Sequence, residues 1–109
     1  MSTKAYYQTQ IDGYKRTISD YRSKITSLND KIKDYKEAKT SKKEQYQGLI
    51  KNCANASGKA SYRTTMQNAL KSIESDIATK RRDIDSAKTS IANTQKSLKS
   101  AQDNKKKAK

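Results

Sequence analysis

Large apolar residues recur along this chain in steps of four and three, and that rhythm constrains its fold more than any other feature. After Tyr7 they fall at Ile11, Tyr14, Ile18, Tyr21, Ile25, Leu28, Ile32 and Tyr35 without a slip. Steps averaging about 3.5 keep one stripe of a helix turned toward a neighbouring helix in a left-handed coiled coil. A β-strand would alternate by two, and that pattern is missing. The same phase passes through Lys39 and Lys42 and regains bulk at Tyr46, Leu49 and Cys53. A first helix is therefore predicted from about residue 4 to about residue 53.

A second tract repeats the rhythm through Met66, Leu70, Ile73, Ile77, Lys80, Ile84, Ala87, Ile91, Thr94, Leu98 and Ala101. One half of this seam is large and aliphatic, and the other turns small or polar after Ile73. The second helix is predicted from about 61 to about 103. Between the two tracts lies the one cluster of Asn, Ser and Gly in the chain, around residues 54–60. Asn55 or Gly58 can take the left-handed conformation that ends a helix, and Ser57 or Ser61 can cap the next. A short connection makes the helices antiparallel neighbours. The expected fold is all-α: a long two-helix antiparallel coiled-coil hairpin over residues 1–104. The lysine-rich residues 105–109 read as a disordered, solvated tail.

Folding about residue 56 would set Ile25 against Ala87, Tyr35 against Ile77 and Tyr46 against Met66. Folding about three residues later would set Leu49 against Leu70 and Cys53 against Met66, but also Lys39 against Lys80. The like-charge clash favours the first register. The tyrosines of the first helix are expected to find room against the small residues of the second.

Composition agrees with a narrow core. Of the 109 residues, 31% are hydrophobic and 33% charged, with no Trp, Phe or Pro. A chain this polar either stays disordered or buries one thin stripe, and the spacing selects the stripe. Ala38, Ile50, Ala69, Ala78 and Ala92 lie off the seam and widen the apolar face, as a helix in a larger bundle requires. Tyr14, Tyr21, Tyr35 and Tyr46 serve either as seam filler or as amphipathic contacts for a partner. Lys39 and Lys42 either fix the register or offer a socket to acidic partner residues. Lys80, Arg81 and Arg82 are further candidates for such electrostatic contacts.

No catalytic constellation is present. The chain has no His and a single Cys, Cys53. An internal disulfide and a thiolate metal cluster are thereby excluded, and no general base or cofactor is expected. Glu74, Asp76, Asp83 and Asp85 stand among Lys and Arg at helical spacing, the pattern of a solvated face. Gly58-Lys59 lacks the Gly-rich run of a phosphate loop. The formal net charge of +14 favours polyanions or acidic protein surfaces. Its lysines are interspersed with acids, however, and no known DNA-reading layout appears. No stretch approaches the ~18 apolar residues of a membrane span. The N-terminus lacks a secretory apolar region, so a cytoplasmic chain is expected, with any export proceeding without a cleaved leader.

Two antiparallel helices with a central turn, in a chain of about one hundred residues, resemble the WXG-type small proteins of bacterial type VII secretion. The stretch equivalent to their Trp-x-Gly turn reads Ala56-Ser57-Gly58-Lys59-Ala60-Ser61-Tyr62. Gly58, Ala60 and Tyr62 fit, and Ala56 stands where the family has Trp. The family's Tyr-x-x-x-Asp/Glu export signal is missing after the second helix, where Ala101-Gln102-Asp103-Asn104 runs into lysines. These departures resemble the accessory or targeting proteins of LXG-type toxins. The resemblance implies a chaperone-like binding role on the helical N-terminal domain of such a toxin, with a second small helical partner supplying the missing signal. The alternatives are a self-assembling structural coiled coil, beginning with a homodimer, and a basic nucleic-acid-binding protein.

Overall fold

A computed structural model describes residues 3–108. The chain is an all-α helical hairpin: α1 spans Lys4–Asn52, α2 spans Ala56–Lys107, and residues 53–55 connect them. The Thr3 hydroxyl accepts the Tyr6 N–H at 3.2 Å, and its carbonyl accepts the Tyr7 N–H. Thr3 is thus the N-cap that starts α1. Nine threonines stand inside the helices without breaking them. Each donates its hydroxyl to the carbonyl four residues back, as Thr17 does to Gly13 at 3.0 Å. That local bond supplements the backbone ladder instead of replacing it.

The connection is tighter than the predicted 54–60. The Cys53 N–H bonds to the Ile50 carbonyl at 3.3 Å, closing the last turn of α1. Asn55 is the N-cap of α2: its side-chain oxygen accepts the Gly58 N–H at 2.6 Å, and its carbonyl accepts the Lys59 N–H. Ser57 and Gly58 therefore lie inside α2, not in the turn. The expected left-handed residue is also absent, because no described residue has a positive φ. Gly58 is needed for clearance instead. A Cβ there would stand 2.6 Å from Cys53 Sγ and 3.0 Å from Asn55 Oδ1.

The expected disordered tail is corrected at residues 105–107, where α2 continues to Lys107; residue 109 lies outside the described residues. Lys105, Lys106 and Lys107 fill its last turn, where cations meet the negative end of the helix dipole. Lys and Ala are also strong helix formers. Lys105 and Ala108, both half-buried, continue the four-three spacing past Ala101.

The chain divides into two compact units, Met1–Ser27 with Asp83–Lys109, and Leu28–Arg82. In the first, Ile11, Ile18, Ile84, Ala87 and Ala101 are buried. Tyr7, Tyr14, Tyr21, Ile25, Ile91, Thr94 and Leu98 are half-buried around them. Lys105 Nζ donates to Gln8 Oε1 across the helix pair. The midpoint of residues 8 and 105 lies between 56 and 57, which is the first of the two registers. At this register Ile11, Ile18 and Ile25 stand level with Ala101, Thr94 and Ala87, and Tyr14 and Tyr21 with Leu98 and Ile91. The isoleucines, not the tyrosines, face the small residues. A tyrosine level with a bulky aliphatic cannot lie fully between the helices, and Tyr14 and Tyr21 remain half-buried.

In the second unit, Leu28, Ile32 and Ile77 are buried, while Tyr35, Tyr46, Met66, Leu70 and Ile73 are half-buried. Lys39 and Glu74 form an ion pair at 2.9 Å. Their midpoint also falls between residues 56 and 57, excluding the Lys39–Lys80 alignment. The seam of α1 departs from its expected course here. Leu49 is 38% exposed, whereas Ile50 is half-buried. The inward positions run Lys39, Tyr46, Ile50, Cys53, so Leu49 is not a seam residue. From Lys39 through Tyr46 to Cys53 the inward positions keep the heptad spacing, while Lys42 and Leu49 turn outward and Ile50 takes Leu49's place.

Candidate protein-interaction surface

The seam leaves much of its apolar content accessible. The most deeply placed residues are Ala87, Ala101 and Ile11, at 2%, 3% and 4% exposure. Every seam tyrosine from Tyr7 to Tyr46 remains half-buried. Tyr6 and Tyr62 are exposed further still. Tyr6 packs edge-on against Tyr7, with ring centroids 5.3 Å apart, and its hydroxyl accepts a bond from Gln10. Of the off-seam apolar residues, Ile50 and Ala69 are half-buried, and Ala38, Ala78 and Ala92 are exposed. Burial of aromatic and aliphatic carbon contributes about 25 cal/mol per Å², so a face of this kind retains attraction for another helix.

The charged candidates divide by environment. Lys39 is occupied by Glu74 within the chain, an arrangement that serves register. Lys80 is half-buried, while Lys42, Arg81 and Arg82 are exposed. Arg82 reaches one turn back to the Thr79 hydroxyl at 3.2 Å. Lys42, Arg81 and Arg82 stand open to solvent and available to an acidic surface.

The first unit holds a basic groove that the sequence did not single out. Lys4, Gln8, Ile11 and Lys15 of α1 line one side, and Lys99, Gln102, Asp103, Lys105 and Lys106 of α2 the other. Five ammonium groups stand there against one carboxylate. Among the described residues none of the five makes an ion pair with a carboxylate. The signal was present in outline: positions 4, 8, 11 and 15 share a face of α1, and 99, 102, 103 and 106 a face of α2. Only the register brings the two faces together.

Among the described residues no cluster of three His, Cys, Asp or Glu could hold a metal ion. No described helix is long and apolar enough to cross a membrane. Fold and surface together define an all-α helical hairpin with incompletely buried faces. Comparison with protein families, curated proteins and solved structures finds no match to the chain.

Proposed function

We propose that the chain is a non-catalytic protein-binding module, an accessory, chaperone-like factor that packs on the helical N-terminal domain of a toxin exported by type VII secretion. The observation that carries the reading is the column of half-buried tyrosines, Tyr7, Tyr14, Tyr21, Tyr35 and Tyr46. These rings are amphipathic and sit at the rim of a two-helix core, where further helices would complete their burial. The exposed Ala38, Ala78 and Ala92 add places where a helix backbone can approach closely. The toxin class follows from the likeness to WXG-type proteins at Gly58, Ala60 and Tyr62, with a second small helical protein supplying the export signal.

Co-expression with a toxin of this class, where one is encoded beside the chain, tests the reading. The two should elute as one complex at moderate salt, and separate elution contradicts the proposal. A second reading, a self-assembling structural coiled coil, is favoured by the same tyrosine column, which a second copy would also cover.

A further inference from the structure

We propose that the basic groove of the first unit is the docking site for an acidic amphipathic helix of a partner protein, an assignment that rests on reading the chain as a protein-binding module. The groove is framed by two facing stripes. Lys4 and Lys15 bracket the α1 side, and Lys99 and Lys106 bracket the α2 side, each at whole-turn spacings. Ile11 lies between the stripes. The Lys105–Gln8 bond ties one wall to the other. From Lys4 to Lys15 the α1 wall runs about 16 Å, or three turns of a docked helix. Such a helix, about 10–12 Å across, lies naturally over a cleft between two helices packed 8–10 Å apart.

The lining decides the chemistry of the occupant. Lys4, Lys15, Lys99 and Lys106, which make no ion pair among the described residues, call for carboxylates. Their methylene stems supply apolar surface for aliphatic side chains flanking those carboxylates, while Ile11, 4% exposed, forms the floor beneath them. Asp103, together with the Gln8 and Gln102 amides, interrupts the positive lining. A phosphodiester backbone would meet repulsion at Asp103. A protein helix can instead place a donor there and acids elsewhere.

The test uses the full chain and a fluorescein-labelled helical peptide of about twenty residues, long enough to hold helix on docking. The peptide carries leucines at every third and fourth position, flanked by glutamates. A second peptide replaces each Glu with Gln, and a short DNA duplex serves as the polyanion probe. Anisotropy should show the Glu peptide bound and the Gln peptide bound at least about tenfold more weakly. The K15E/K99E double variant should lose about tenfold in affinity, and K43E/K71E, outside the groove, less than about twofold. Circular dichroism would verify that both variants remain helical. Equal binding of the two peptides, or equal losses in the two variants, overturns the assignment. So does tighter binding of the duplex that K15E/K99E abolishes. If the toxin co-purifies and K15E/K99E leaves that complex intact, the groove assignment fails and the protein-binding reading stands. If no toxin co-purifies, the latter fails by itself.

Discussion

Ile18→Ala should remove a large part of the stability of this hairpin, about 2–4 kcal/mol. Ile18 is 5% exposed, and at this register it stands level with Thr94, a small partner that fills little of the space it would leave. The loss combines the missing transfer free energy of the side chain with the cavity it leaves. For a domain of this size, that corresponds to a fall in melting temperature of roughly 10–25 °C. Tyr6→Ala, at a site 51% exposed, should change stability by no more than about 0.5 kcal/mol. Thermal unfolding followed by circular dichroism reads both. Similar shifts in the two variants would mean that the seam is not where the stability resides.

The three glycines should respond to alanine with opposite signs. A Cβ added at Gly13 or Gly48 meets no atom within 4 Å. Each of those changes should stabilise its helix by about 0.5–1 kcal/mol, the ordinary gain of Ala over Gly in a helix interior. Gly58→Ala carries the same intrinsic gain but should be net destabilising by about 1 kcal/mol, through loss of the cap. The new Cβ would stand 2.6 Å from Cys53 Sγ and 3.0 Å from Asn55 Oδ1. Cys53 Sγ is itself engaged with the Asn55 carbonyl at 3.6 Å, and Asn55 Oδ1 with the Gly58 N–H. Relief of the clash therefore disturbs both the thiol and the cap. Cys53→Ala removes the nearer obstacle, so the double variant should recover part of the loss. A stabilising Gly58→Ala, matching the other two, would contradict this account of the turn.

The parts of the fold legible in the sequence are those set by periodicity. All the seam positions from Met66 to Ala101 on α2 are buried or half-buried, because one sustained spacing specifies one face. On α1 the same reasoning holds through Lys39 and again at Tyr46 and Cys53, and fails at Lys42 and Leu49, which are exposed. The register was legible through charge: an alignment that brings Lys39 to Lys80 is disfavoured, and Lys39 meets Glu74 instead. Contacts made by single atoms were not legible. Gly58 looked like a helix breaker, whereas its role depends on where Cys53 Sγ comes to rest. The terminal lysines looked like a solvated tail because sequence weighs their mutual repulsion and hydration, while the helix end rewards their charge. The pairing of isoleucine with small residues, and the basic groove, both needed two helices set side by side.

The account centres on a hairpin whose half-buried faces are completed by a different protein. Light scattering on the isolated chain, then on the co-expressed pair, tests this most directly. The chain alone should have the mass of a monomer, 12.3 kDa, and melt at low temperature. The pair should run as a single complex with a clearly higher melting temperature, since a ligand that binds only the folded state stabilises it. A chain that alone holds twice that mass at every concentration, and gains nothing from the partner, would contradict the account and identify the tyrosine column as a self-assembly surface.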